Sequence, residues 1–248
     1  MVGLGETRTK ETMDTESVLR IKPTLTHFLH EFDGGMGRIS NRRHLQTHVA
    51  GQLSDLQRKS VEPIADAAGV PPRTLQEFLG LRRWDEAAAR DRVQRRVAQR
   101  HAHPHSIGIV DETSFAKQGE HTACVQRQYC GGRGKKDNCV VAVHLGYAAG
   151  DFHTLLDGEL FLPKETWHQD RERCRAAGIP DEVVYRSKGE IGLEQIQRAL
   201  ANGVRFAWLT VDEGYGGKPP FLRGLERLGQ NYMAEVPSAS WCGPSRRR

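Results

Sequence analysis

Cysteine is scarce in this sequence and long apolar runs are missing. The five cysteines are unevenly spaced and form no CxxC pair, which argues against a disulfide framework and against a structural zinc site: Cys124, Cys130, Cys139, Cys174 and Cys242. No run approaches the about 18 apolar residues of a membrane-spanning helix, and the polar N-terminus lacks the apolar stretch of a signal peptide. These absences predict a protein of the reducing cytoplasm with no membrane partner.

A strong charge of one sign is also missing. The chain has 36 lysines and arginines against 31 acidic residues, a net charge of +5, and hydrophobic residues make up 38% of it. That hydrophobic share allows a folded core and excludes disorder throughout. The small basic excess suits a nucleic-acid partner, but it is equally typical of ordinary basic proteins. Charge alone therefore leaves both interpretations open.

The first part of the chain, residues 21–105, carries helical patterns. Apolar residues recur at spacings of three and four in Leu25, Phe28, Leu29 and Phe32, which predicts a helix with one apolar face. This region is therefore predicted to form a small all-α domain.

A helix-turn-helix outline lies within SVEPIADAAGVPPRTLQEFLG. Gly69 can end one short helix in the left-handed conformation, and Pro71 and Pro72 can begin the next one. Two short helices around such a turn are typical of DNA-reading domains, but any pair of packed helices shares the outline. A DNA-reading role for this domain stays open.

The string HAHPHS at residues 101–106 separates the two parts of the chain. Pro104 cannot lie inside a regular helix, so a polar linker is the preferred interpretation. A metal site built from His101, His103 and His105 is the alternative.

Residues 106–237 change to strand-like patterns. SIGIVDETSF, NCVVAVHLGYAAG, FHTLLDGELFLP, VRFAWLTVDEGYG and QNYMAEVP read as strands, and VQRQYC joins the second of them through the glycine-rich basic turn GGRGKKD. Helical patterns lie at about 167–177, in GEIGLEQIQRALANG and over 219–229. Three strands, helix, strand, helix, strand is the order of a ribonuclease H-like core. We therefore predict an α/β fold, with a ribonuclease H-like mixed sheet preceded by the all-α domain.

Two acidic residues follow apolar strands at positions where reactive groups collect. Asp111 ends the first strand and Asp212 ends the fourth. If these strands are neighbours, the two carboxylates lie close together, and a divalent cation such as Mg²⁺ would relieve their repulsion. The alternative is that each acid caps a helix or faces water. Glu112 and Glu213 are adjacent acids, but neighbouring side chains on a strand point to opposite faces, so we choose the aspartates.

Longer segments of the sequence resemble a known protein family. VDETSFAKQG, RQYCGGRGKKDNC, LPKETW and DEGYG occur in the same order in the DDE transposases of bacterial insertion sequences, in particular the group numbered 701. The resemblance covers about residues 25–237. One departure is Val140, which stands where the family sequence has glutamine.

The resemblance implies that Asp111 and Asp212 are the first two carboxylates of a catalytic triad that binds Mg²⁺ (or Mn²⁺). It also implies cut-and-paste transposition on double-stranded DNA, with terminal inverted repeats and a target as substrates. Residues 106–237 would be the DDE endonuclease domain. Assembly into a homo-oligomer stays open.

One departure from the family pattern concerns the third carboxylate. The family has a glutamate on a helix after the last core strand, whereas here QNYMAEVP is followed by SASWCGPSRRR. Glu235 lies within the strand and is a poor substitute. The sequence therefore predicts a truncated transposase. The alternative function is a catalytically inactive remnant that binds transposon ends or inhibits the full-length enzyme.

Basic residues around the glycine-rich turn and beyond are the candidate DNA contacts. They are Lys117, Arg127, Arg133, Lys135, Lys136 and Lys188. Long cations on a glycine-rich turn can approach phosphates without reading sequence, although a solvated hairpin turn looks the same. The turn is not a P-loop, because the GxxxxGK spacing is absent. A phosphatase with Asp111 as nucleophile is a weaker rival, because Thr113 stands where such enzymes place a second aspartate.

Overall fold

The computed structural model describes residues 15–237, with side chains from residue 21 onward. The basic tail 238–248 and its Cys242 lie outside the described residues. The chain divides into two compact units between Arg92 and Val93, whereas the sequence patterns change at 105/106. The division between the two units falls inside a helix. It therefore does not coincide with the boundary at which the sequence changes from helical to strand-like patterns.

The described part of the first unit is helical. Its helices are α1 Thr15–His30, α2 Asp33–Met36, α3 Ile39–Leu53, α4 Val61–Ala67, α5 Pro72–Gly80 and the beginning of α6 Glu86–Arg100. Asp85 caps α6, because its Oδ1 accepts a hydrogen bond from the Ala88 amide at 2.8 Å. No helix among residues 15–237 is long and apolar enough to cross a lipid bilayer.

Helices α4 and α5 occupy the positions of the predicted helix-turn-helix. Gly69 lies between them with a φ of +65°, the left-handed conformation that glycine adopts without strain. Ile64, Ala65 and Leu75 are buried in one small core. Leu79, near the end of α5, is exposed. The left-handed turn at Gly69 was therefore predictable from the sequence.

The second unit is built on a six-stranded mixed sheet. The strands are β1 Ile107–Ala116, β2 Gln126–Cys130, β3 Lys135–Ala149, β4 Phe152–Leu160, β5 Trp208–Val211 and β6 Tyr232–Ala234. The helices that accompany them are α7 Arg171–Ala176, α8 Lys188–Ala201, α9 Glu213–Gly216 and α10 Pro219–Arg227. The predicted glycine-rich turn is confirmed as a 3-10 turn, Gly131–Arg133, between β2 and β3.

The strand order is β2-β3-β1-β5-β6, with β4 also paired to β3. Strand β1 runs antiparallel to β3 and parallel to β5, and β5 runs parallel to β6. This is the mixed α/β, ribonuclease H-like architecture that the sequence predicts. The predicted hairpin is confirmed, with VQRQYC supplying β2, which pairs with the first five residues of β3.

Helices cover one face of the sheet, and several side chains on the other face, called the open face here, are exposed among the described residues. Val110, Leu145, Ile191, Leu209 and Phe221 belong to the main core between the sheet and helices α8 and α10. On the opposite face Ile107, Ile109, Trp208 and Met233 are exposed. Alternate residues of β1 and β5 therefore point either into the core or towards solvent. The sequence prediction that Asp111 ends the first strand is wrong, because β1 continues to Ala116, whereas Asp212 directly follows β5 as predicted.

Candidate active site

Asp111 and Asp212 lie side by side on neighbouring parallel strands. Val110 is the register partner of Val211, and each valine is followed directly by one of the two aspartates. Neighbouring strands are about 4.8 Å apart, so the two carboxylates share one local site. Both side chains are exposed. The juxtaposition arises because β1 and β5 pair in parallel across about 100 residues of intervening chain.

Each aspartate uses one oxygen to accept a backbone hydrogen bond. Oδ1 of Asp111 accepts from the Glu112 amide at 2.7 Å, and Oδ1 of Asp212 accepts from the Gly214 amide at 3.0 Å. Asp212 thereby caps the short helix α9, as the helix-cap alternative expects. Capping occupies one oxygen only, so each Oδ2 has no hydrogen-bond partner within residues 21–237. Two adjacent carboxylates with free oxygens are the hard donor set that Mg²⁺ and Mn²⁺ prefer.

A third ligand of this kind is missing from the described part of the chain. No group of three or more histidine, cysteine, aspartate or glutamate side chains there is placed to hold one metal ion. Glu235 follows β6, and its amide donates to the Val211 carbonyl at 3.1 Å, so its backbone lies next to the end of β5. Its side chain does not complete a three-ligand group with the two aspartates.

The acidic neighbours of the two aspartates have different surroundings. Glu112 points to the helical side of the sheet, where its Oε2 receives a hydrogen bond from Lys188 Nζ at 2.5 Å. Glu213 lies in the first turn of α9 and is exposed. The opposite directions of Asp111 and Glu112 follow from the alternation of side chains along β1.

Tyr215 is a residue that sequence patterns did not single out. It is 2% exposed, and its buried hydroxyl interacts with the Glu112 carboxylate without reaching full hydrogen-bond geometry. Burial raises the pKa of Tyr215 far above its ordinary value, and the negative charges of Glu112, Asp212 and Asp111 raise this pKa further. A neutral hydroxyl therefore lies within electrostatic reach of three carboxylates. Its only sequence signal is its place within DEGYG.

Close packing holds the segment that carries Asp212 and Tyr215. A Cβ atom on Gly216 would lie 1.9 Å from the carbonyl oxygen of Glu235, so the end of α9 touches the backbone that leaves β6. The Gly216 amide donates to the Asp212 carbonyl at 2.8 Å. The absence of a side chain at Gly216 thus lets α9 turn back tightly beneath Asp212.

The predicted DNA contacts separate into free and paired cations. Arg133 Nη1 lies 2.8 Å from Asp137 Oδ2, and Lys188 pairs with Glu112. The other four have exposed side chains without an ion pair to any residue of 21–237: Lys117, Arg127, Lys135 and Lys136. Lys136 lies eight residues along β3 from His144, the register partner of Asp111, so it is roughly 25 Å from the aspartates.

The three linker histidines do not form a cluster. The His101 ring stacks on Phe152 with centroids 3.6 Å apart, and the His105 amide donates to His103 Nδ1 at 3.1 Å. They are not part of any three-ligand group in the portion of the chain that the structure describes.

Comparison with known proteins agrees with this geometry. A family model described as DDE superfamily endonuclease matches residues 31–244. Over 195 residues the chain is 34% identical to a protein of Microchaete diplosiphon described as the probable transposase for insertion sequence element IS701. The match covers 77% of this chain and 47% of that protein, so the chain spans about half the length of the curated relative that it matches.

Proposed function

Because this chain belongs to the DDE superfamily endonucleases, we propose that it cleaves DNA and transfers strands at the ends of an insertion sequence. The observation that carries the proposal is the register of Val110 with Val211, which supports a shared metal site at Asp111 and Asp212. The two free Oδ2 atoms would hold Mg²⁺ or Mn²⁺. A divalent cation bound there would supply a Lewis acid for the phosphodiester and lower the pKa of an attacking water or 3′ hydroxyl.

The chain's own residues position the two carboxylates. The Glu112 amide fixes the rotamer of Asp111, and the Gly214 amide fixes that of Asp212. Both aspartates are exposed, so a DNA backbone can approach them.

Double-stranded DNA is the proposed partner. The free cations Lys117, Arg127, Lys135 and Lys136 would contact phosphates at a distance from the aspartates, in a salt-dependent and sequence-independent way. Helices α4 and α5 of the first unit are proposed to read the terminal repeats. DNA contacts that fix the register of the duplex would then be separate from the site of cleavage.

Nicking of supercoiled plasmid DNA tests this function without knowledge of the repeat sequence. The purified chain should convert supercoiled plasmid to the nicked form with Mn²⁺ and leave it intact with EDTA. Asp111→Ala and Asp212→Ala should each abolish nicking. Asp151→Asn is the matched control, since Asp151 is an exposed acid in the turn between β3 and β4. Equal nicking by all four proteins would contradict the assignment.

A second function is favoured by the missing third ligand within residues 21–237. In this case the chain binds transposon ends without cutting them and competes with, or joins, a complete enzyme. It should shift plasmid or repeat DNA in a gel at modest salt, and it should leave the DNA uncut with either cation. Failure to bind any DNA would argue against both functions.

A further inference from the structure

The hairpin of β2 and β3 has one buried face and one exposed face. Cys130 and Cys139 lie on the buried face, where they pack with Val141 and are at most 1% exposed. The Gly132 amide donates a hydrogen bond to Ser114 Oγ at 3.3 Å, which ties the tip of the hairpin to β1. The hairpin is therefore a fixed part of the sheet, and its alternate side chains face solvent.

The exposed face of the hairpin carries an aromatic ring. Tyr129 is 63% exposed, and its side chain makes no hydrogen bond or ring contact with any residue that the structure describes. An aromatic side chain can bury about 150–250 Å² against a partner. Because the strand that carries it is packed on the other face, the Tyr129 ring is a preformed flat surface open to solvent.

Two free cations flank this ring. Lys136 is the register partner of Tyr129, and Arg127 lies two residues before it on the same face of β2. Side chains related in these ways are about 5–7 Å apart. Both cations are exposed and have no ion pair with any described residue. The one acid of the hairpin, Asp137, alternates to the other face and pairs with Arg133.

The combination of ring and cations distinguishes single-stranded from double-stranded DNA. Cations alone suffice for a duplex, because it presents its phosphates outside and keeps its bases stacked inside. A single strand also offers the flat face of each base, and stacking of that face on an aromatic side chain stabilises binding whatever the sequence. The exposed Tyr129 ring beside two free cations therefore favours a single strand.

We propose that Arg127, Tyr129 and Lys136 form a binding surface for single-stranded DNA. One base stacks on the Tyr129 ring, and Arg127 and Lys136 contact the phosphates on either side of it. Lys136 lies roughly 25 Å from the aspartates along β3, so the surface holds the strand away from the cleavage position. The inference rests on the proposed function, because cleavage is the step that releases an unpaired strand end.

Fluorescence anisotropy in EDTA tests this surface without cleavage. The full chain is titrated into labelled oligothymidine, which forms no duplex with itself, and into a labelled duplex of the same length. Tyr129→Leu should weaken oligothymidine binding roughly tenfold, in line with the stacking of one base, and leave duplex binding unchanged. Tyr129→Phe should keep the affinity for oligothymidine, since stacking requires the ring and not the hydroxyl. Trp208→Leu is the matched control, because this exposed aromatic residue lies on β5 beside Ile107, away from the hairpin cations.

The two cations have a readout of their own. Each phosphate contact on a single strand contributes about 0.7 to the slope of log affinity against log salt, so Arg127→Ala with Lys136→Ala should lower that slope by about 1.4. Tyr129→Leu should leave the slope unchanged, because stacking releases no counterions. The slope of the double variant keeps the test decisive even if Tyr129→Leu lowers the Tm.

The outcomes separate the hairpin surface from the general function. Unchanged affinity for oligothymidine in Tyr129→Leu, or an equal loss for both forms of DNA, overturns the single-strand proposal. Tighter binding of oligouridine than of oligothymidine also overturns it, because RNA would then be the ligand. If the unaltered chain binds the duplex but not oligothymidine, the inference fails and the proposed function stands. If it binds neither, both fail.

Discussion

Asp111 and Asp212 are brought together by the parallel pairing of Val110 with Val211. The valines point into the core, and Asp111 points to the open face of the sheet together with Ile109 and Thr113. Each aspartate keeps one oxygen on a backbone amide and the other free. The apolar strands thus determine the spacing of the acids, and the amides determine their orientation.

Substitution of either aspartate by asparagine should remove metal-dependent cleavage with little change in folding. Asparagine keeps the amide contact through its carbonyl oxygen but loses the negative charge that binds a divalent cation. Nicking should fall by roughly 100-fold or more, since a bound metal supplies several kcal/mol to such reactions. Thermal unfolding with and without Mn²⁺ gives a second readout: the cation should raise the Tm of the unaltered chain and of Asp151→Asn only. A full Mn²⁺ response in Asp111→Asn would contradict the site.

Gly216→Ala should destabilise the second unit and misplace Asp212. Its Cβ would lie 1.9 Å from the Glu235 carbonyl oxygen, and because this neighbour is backbone, α9 or the chain after β6 must move. Overpacking of this kind costs about 1–3 kcal/mol in the free energy of unfolding, measurable in urea. Gly189→Ala is the matched control, because its Cβ would meet Phe221 Cβ at an ordinary 3.5 Å near the start of α8. Equal stability of the two variants would be inconsistent with the contact.

The sequence predicted β5 well because it is a short apolar run that ends in an acid. It predicted the beginning of β1 but not its end, because β1 continues to Ala116 and Asp111 lies within the strand, paired with His144 of β3. The adjacency of Asp111 and Asp212 required the strand order, which the ribonuclease H-like resemblance supplied and local patterns could not. The surroundings of Tyr215 and the pairing of Lys188 with Glu112 were not predicted. The partners in that pair are 76 residues apart, and no local periodicity encodes such a contact.

Arg198→Met should destabilise the sheet by about 3 kcal/mol. The Asp157 side chain is fully buried, and its Oδ2 accepts a hydrogen bond from Arg198 Nε at 3.0 Å. Removal of the guanidinium leaves a buried carboxylate without that charge partner, which is far less favourable than loss of a surface ion pair. Urea unfolding should show the loss, and Asp157→Asn in the same background should recover part of it. Additive effects of the two substitutions would show that the pair is not coupled.

Lys188→Met should affect folding more than DNA affinity. The Lys188 ammonium pairs with Glu112 and lies over the Phe161 ring, and both charged side chains are about one-third exposed. We expect a loss of about 1 kcal/mol in the free energy of unfolding, since solvent screens a half-buried pair. Glu112→Gln should lose a similar amount, and the double variant should lose less than the sum. A fall in plasmid affinity as large as that of Lys135→Ala would instead support the sequence-based role of Lys188 as a DNA contact.

Substitutions of the basic residues at the glycine-rich turn test the contribution of their charge to DNA binding without disturbing the fold. Lys135 and Lys136 are exposed without ion pairs to any described residue, whereas the Arg133 guanidinium lies 2.8 Å from Asp137. Each phosphate contact contributes about 0.9 to the slope of log affinity against log salt, so Lys135→Ala with Lys136→Ala should lower that slope by about 1.8. Arg133→Ala should change it less, because Asp137 already neutralises that charge.

The measurement is plasmid or duplex binding at several salt concentrations, with Arg223→Ala as the control for loss of a surface cation elsewhere. An unchanged slope in the double lysine variant would mean that the turn does not contact DNA. If that variant still nicks DNA with Mn²⁺ at low salt, the two lysines contribute to DNA binding only, and the aspartates carry out cleavage. This division of labour is expected from the roughly 25 Å of β3 between them.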